Sequence, residues 1–145
     1  MNRGDGNRPD GMTLHAWKEG KELVWDVAVV DTLAPSHLHR SASEAGSAAL
    51  EGEEKKTEKY SDIAERYNFC PIGMETMGSW GPEARKIIGE IGKKLVSKTN
   101  EIRAAAFLKQ KISLEIQRGN AISVLGTAPV SLGLHEIFFL LYWKH

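Results

Sequence analysis

The feature that most limits the fold is an aspartate inside an apolar, β-branched segment. Residues 21–31 read Lys-Glu-Leu-Val-Trp-Asp-Val-Ala-Val-Val-Asp. A run so rich in valine predicts a buried strand with Asp26 near its centre. A buried carboxylate is costly unless it is paired, protonated or bound to a metal. The strand therefore predicts a partner for Asp26, and a second acid, Asp10, lies upstream in the segment Arg-Pro-Asp-Gly.

A tight turn joins this strand to a preceding one at 12–17. Gly20 suits the last position of a three-residue hairpin loop, where a positive φ is favoured. The register set by that loop places Asp10 diagonally across from Asp26 on one face of the hairpin, with Cβ atoms about 7–8 Å apart. Two carboxylates at that separation can bind one hard divalent cation. The site hypothesis therefore depends on this turn.

The remaining elements alternate in type. Apolar spacing and punctuation by proline and glycine predict a helix at 51–67, a strand at 69–76, a helix that begins at Pro82, and a helix at 101–118. The fold class is therefore α/β (α+β), with a β-hairpin followed by a helix, a strand and two C-terminal helices. Residues 32–50, rich in Ser, Ala and His, predict a flexible loop.

Length, composition and charge limit the number of domains and the class of protein. Its 145 residues allow one domain, assigned to 8–126, after a disordered segment at 1–7. Residues 127–145 form an atypical apolar tail that is too short to span a membrane. The beginning of the chain lacks the apolar core of a signal peptide, so an intracellular protein, nuclear or cytoplasmic, is expected. Net charge is zero, although 83–118 is locally basic, which fits a nucleic-acid contact.

Several segments together resemble the PD-(D/E)xK nuclease superfamily, and more closely a domain in reverse-transcriptase-associated open reading frames of animal mobile elements. The resemblance covers about residues 7–126. It is carried by Arg8–Gly11, Val24–Val27, Val29–Pro35, Lys59–Tyr60, Phe69–Gly78 and Ile116–Ala121.

The resemblance implies metal-dependent phosphodiester hydrolysis of DNA. Asp10 matches the acid of the Pro-Asp motif and Asp26 matches the second acid, so the two would hold Mg²⁺ or Mn²⁺. The family lysine should follow two residues after the second acid, where this chain has Ala28. Some members supply that lysine from the following helix, and Lys59 is the candidate here.

Further residues carry weaker expectations. Glu75, at the end of the third strand, is a candidate third metal ligand, a residue that orients Lys59, or a rim salt-bridge residue. Arg8, Gln117 and Arg118 are candidates for contact with a nucleic-acid backbone, or simply exposed and capping side chains.

The superfamily core normally begins with a helix and a strand ahead of the Pro-Asp motif. Both are missing from this sequence, which predicts a truncated fragment of a larger reading frame. Two alternatives to an active nuclease therefore stand beside it. One is a catalytically inactive module that binds nucleic acid or protein, and the other is a non-functional genomic relic.

Overall fold

The computed structural model describes residues 8–32, 34 and 44–124. The disordered segment expected at 1–7, most of the expected loop and the apolar tail lie outside the described residues. Seven elements follow in chain order: β1 (Gly11–Lys18), β2 (Lys21–Val30), α1 (Ser47–Lys59), α2 (Ser61–Arg66), β3 (Asn68–Glu75), α3 (Pro82–Thr99) and α4 (Ala104–Val124). The predicted mixed α/β class is confirmed.

The three strands form one sheet in the order β1-β2-β3. β1 and β2 are antiparallel, whereas β2 and β3 run parallel and are connected through α1 and α2. Parallel neighbours require such a crossover connection, because the chain must return to the same end of the sheet. Asp26 therefore lies on the central strand, with Pro71 of β3 as its neighbour on one side.

The predicted three-residue hairpin loop is wrong. Lys18 pairs with Lys21, so Glu19 and Gly20 form a two-residue turn in which both have positive φ. Both positions of a type I′ turn require positive φ, and this turn matches the twist of the flanking strands. Irregularities in β1 then shift the pairing, and Met12 lies opposite Val24 instead of Asp26.

Each face of the sheet carries its own hydrophobic cluster. On one face, α3 and α4 pack on the strands through the larger cluster, which includes Trp25, Ile72, Ile88 and Ile112. On the other face, Val24 packs with Tyr60 and Ile63 at the junction of α1 and α2. Because side chains alternate along a strand, Asp26 shares the second face with Val24.

Two helix boundaries differ from the prediction. The helix expected at 51–67 begins earlier, at Ser47, and is interrupted at Tyr60, whose φ of −112° leaves the helical range. The interruption accompanies burial of Tyr60 and Ile63 against Val24. The last helix does not end near 118 but continues to Val124.

That continuation is a tertiary effect. Gly119 is buried within α4, and the Asn120 amide donates a 2.8 Å hydrogen bond to the carbonyl of Thr76. Packing and this bond outweigh the weak helix propensity of a Gly-Asn pair. Among the described residues, no helix combines the length and apolarity that a membrane crossing requires.

Candidate functional site

The structure brings Asp10 and Asp26 together. Gly11 pairs with Trp25, which places Asp10 beside Asp26 at the open end of the hairpin. The backbone N–H of Val27 donates a 2.7 Å hydrogen bond to Asp10 Oδ2, which fixes the exposed Asp10 carboxylate at this strand. The actual register differs from the predicted one by two residues. A shift of two preserves the face of every side chain, so the expected shared face is retained.

Asp26 is the buried member of the pair, with 3 % of its surface exposed. Burial raises the pKa of Asp26, and the charge of Asp10 and a hydrogen bond with it act in the same direction. A hydrogen bond from Lys56 and its positive charge oppose the rise in this pKa. The arrangement is one in which adjacent carboxylates repel each other and a cation relieves the repulsion.

Lys56 supplies that cation from α1. Its Nζ lies 2.6 Å from Asp26 Oδ2, while 27 % of the lysine side chain remains exposed. An ion pair with one partner buried and the other at the surface can hold the lysine at the carboxylate and still present its ammonium group to a ligand. Asp10, Asp26 and Lys56 thus form a compact acid–acid–lysine cluster.

Lys59, the lysine selected from the sequence, lies elsewhere. It is exposed, and its Nζ stands 5.0 Å from the centroid of the Tyr60 ring. The structure therefore places Lys56 rather than Lys59 against Asp26, one helical turn nearer the beginning of α1. Lys56 lies three residues before Lys59, on a similar side of the helix, so helical spacing admits both lysines and does not choose between them.

Glu75 contacts backbone N–H groups at the beginning of α1 and not the Asp10–Asp26–Lys56 cluster. Its side chain is 1 % exposed, and its Oε1 accepts hydrogen bonds from the backbone N–H groups of Ala48 and Ala49 at 3.0 and 3.2 Å. Glu75 thus satisfies the first turn of α1 from β3, as an N-cap residue would. It pairs with Val30 across the sheet, four residues beyond Asp26 and so about 13 Å along the strand. It is not positioned as a third ligand beside Asp26.

The sequence did not indicate a comparable role for Glu53. This α1 residue is 2 % exposed and accepts backbone hydrogen bonds from Gly73, Glu83 and Ala84 at 2.9–3.1 Å. Burial raises the pKa of Glu53, and these hydrogen bonds oppose the rise. Its carboxylate joins α1 to β3 and to the beginning of α3. Nothing in the local sequence distinguishes it from its exposed neighbour Glu54.

The candidate nucleic-acid residues are exposed but dispersed. Arg8 lies two positions before Asp10. Gln117 and Arg118 lie on the exposed side of α4, next to the buried Ile116. Because α4 packs on the face of the sheet opposite Asp26, the structure does not gather these two residues around the carboxylates.

The two carboxylates suit a hard cation that takes few of its ligands from the protein. Within the described ranges, no group of three or more His, Cys, Asp or Glu side chains is arranged to hold a metal ion. Two adjacent carboxylates fit Mg²⁺, which commonly keeps several water ligands and takes only one or two carboxylates from the protein. Asp10 and Asp26 are the residues that would hold such an ion.

Comparisons with protein-family models, with curated proteins and with solved structures found no match to this chain.

Proposed function

We propose that the chain is a metal-dependent phosphodiesterase domain that acts on DNA. The observation that carries the proposal is the cluster formed by Asp10, Asp26 and Lys56, in which a lysine from α1 contacts the buried carboxylate at 2.6 Å. Paired acids with a nearby lysine provide the charges that phosphodiester hydrolysis needs: a seat for a divalent cation and a positive group for the phosphate.

Each residue has a distinct part in this proposal. Asp10, held by the Val27 N–H, and Asp26 would bind Mg²⁺ or Mn²⁺. A bound ion would supply an activated water and would neutralise charge on the scissile phosphate. Lys56, whose ammonium is partly exposed, would orient the phosphate or the attacking water. Arg8, two residues from Asp10, would contact the adjoining backbone, with Gln117 and Arg118 as weaker candidates.

We further propose that the fold is a PD-(D/E)xK-like core from a mobile-element reading frame. The antiparallel β1–β2 pair and the parallel β2–β3 pair, joined by α1 and α2, support this. The lysine on the helix and Ala28 on the strand would be its main departures from the family pattern.

The first experiment is calorimetric titration of Mn²⁺ and Mg²⁺ into the purified chain. We expect one site, weakened at least about tenfold by Asp26→Asn, because the charged ligand is lost while the side chain keeps its size. Asp31→Asn is the matched control, since Asp31 is exposed beyond the end of β2. An unchanged affinity in folded Asp26→Asn would remove the metal site from the proposal.

The second experiment measures cleavage of labelled DNA with Mg²⁺ present. Lys56→Met should lower the rate by about 10²-fold or more while the chain still binds metal, because the group lost acts on the phosphate or the water. Lys55→Met is the control, as Lys55 pairs with Glu51 on the same helix. Equal rates for the two variants would contradict the role assigned to Lys56.

A binding module without catalysis is the second candidate function. Lys56 already forms an ion pair with Asp26, and the described residues bring only two carboxylates together at this site. DNA affinity that falls steeply with salt, in a chain that neither binds Mn²⁺ nor cleaves, would favour this alternative.

A further inference from the structure

Helix α1 packs tightly against β2 at a glycine, Gly52. A Cβ atom at Gly52 would lie 3.1 Å from Val30 Cγ2 and 3.5 Å from Ala28 Cβ. The first distance is shorter than ordinary van der Waals contact, so a side chain at 52 would force Val30 or the helix to shift by a few tenths of an ångström. Ala28 faces the same glycine, and its small side chain lets the helix lie close to the strand.

The contact of Gly52 with β2 and the contact of Lys56 with Asp26 lie one helical turn apart on the same side of α1. Gly52 and Lys56 are four residues apart and lie on the same side of α1. Ala28 and Asp26 are two residues apart and lie on the same face of β2. When Gly52 rests on Ala28 and Val30, the next turn of the helix therefore brings Lys56 over Asp26.

The rest of α1 is held by other contacts. Glu75 caps its first turn, and Glu53 ties its middle to β3 and α3. With these two attachments in place, the height of the helix above β2 depends on the side chains between them. Gly52 lies between these two attachments and faces Val30 and Ala28 of β2.

We propose that Gly52 is a positioning residue for Lys56: the close approach of helix to strand at Gly52, Ala28 and Val30 places the lysine on Asp26. The role of Lys56 in hydrolysis rests on the proposed function, but its placement can be measured separately. Gly52 touches neither metal nor substrate and acts only through the lysine.

The test compares two glycine substitutions of the same chemistry. Gly52→Leu places a side chain against Val30, whereas Gly89→Leu on α3 places one where nothing lies within 4 Å of the new Cβ. The readout is the rate at which an amine-reactive reagent modifies each lysine at fixed pH. Peptide mass spectrometry measures this rate for each lysine. Lys55 and Lys59 serve as references on the same helix.

We expect modification of Lys56 to become at least about threefold faster in Gly52→Leu and to stay unchanged in Gly89→Leu. Unchanged modification of Lys56 in folded Gly52→Leu would overturn the proposal. Metal affinity and DNA cleavage are measured on the same samples. If Lys56 responds as expected but no variant binds metal or cleaves DNA, the proposed function fails and the positioning role stands.

A rescue experiment separates positioning from general stability, and decides the matter if Gly52→Leu does not fold. Gly52→Ala should expose Lys56 partly, because the new Cβ, 3.1 Å from Val30 Cγ2, pushes the helix away from the strand. Adding Val30→Ala, which removes the obstructing methyl groups, should restore slow modification of Lys56 even though it costs core packing. Faster modification in the double variant than in Gly52→Ala would contradict the steric explanation.

Discussion

Asp26 is a residue whose surroundings work against its charge. Its carboxylate is buried on the central strand, Asp10 adds a second negative charge beside it, and Lys56 offsets the two in part. For stability alone, an uncharged side chain would suit the position better. Residues kept at such a cost are typical of functional sites.

A stability measurement tests this interpretation. We expect Asp26→Asn to raise the free energy of unfolding at neutral pH by about 1 kcal/mol, because it removes a desolvated charge while keeping the side-chain volume. Lys56 loses its partner but stays hydrated, since part of its side chain is exposed. Chemical denaturation of the two proteins gives the difference, and a variant less stable than the parent at neutral pH would show that Asp26 is chiefly structural.

The same pair of proteins has an expected pH dependence. The pKa of Asp26 is raised above its ordinary value of 3.8 in the folded chain, so the native state holds the proton more tightly than the unfolded state. Stability attributable to Asp26 is therefore lost as pH rises through the folded pKa and regained as pH falls. The advantage of Asp26→Asn should shrink below neutral pH and reach its minimum only below the unfolded pKa of 3.8, in denaturation curves taken across that range. An advantage that grows with acidification would contradict the raised pKa.

At the scale of elements, buried glutamates attach helix beginnings to other parts of the fold. Glu75 of β3 binds the first turn of α1, and Glu53 of α1 binds the first turn of α3. A negative charge at a helix beginning also interacts favourably with the helix dipole. The placement of α1, and with it Lys56, depends on this chain of caps.

We expect Glu75→Gln to lower the free energy of unfolding by about 1 kcal/mol, because an amide keeps one acceptor oxygen but loses the charge. Hydrogen exchange should quicken first at the amides of Ala48 and Ala49. Glu54→Gln, an exposed substitution on the same helix, should have little effect. Equal exchange at those two amides in both variants would show that the cap contributes nothing measurable.

Local sequence patterns predicted the type of each element and several buried positions. Contacts between residues far apart in sequence determined the hairpin register and the placement of α1. The apolar, β-branched sequence of β2 predicted that Asp26 is buried, whereas the face that it shares with Asp10 was predicted from a three-residue loop that the structure does not contain. The sequence of β2 could not fix the hairpin register, which depends on the turn and on irregularities in β1. The resemblance suggested Lys59, whereas in the structure Lys56, three residues earlier on the same helix, contacts Asp26. That contact joins a helix and a strand that are distant in sequence, so no local pattern could choose between the two lysines. The caps made by Glu53 and Glu75 join residues 20 to 31 positions apart, beyond any local pattern.

At the scale of the whole molecule, Cys70 reports whether the chain folds cooperatively. It is the single cysteine of the sequence, pairs with Trp25 across the sheet and is 6 % exposed within the larger cluster. Burial, together with the negative charges of nearby glutamates, raises the pKa of the Cys70 thiol from 9.0 to about 12. This lowers the reactive thiolate fraction about a thousandfold.

Labelling of Cys70 with a thiol reagent at pH 8 should therefore be at least about a thousandfold slower than in the urea-unfolded chain. Its rate should rise with denaturant along the global unfolding transition, because core residues open only when the whole unit unfolds. A genomic relic without a cooperative fold would instead be labelled at the unfolded rate from the outset. That result would remove the physical basis for the Asp10–Asp26–Lys56 site, since a chain that does not hold its strands together cannot keep two acids and a lysine in contact.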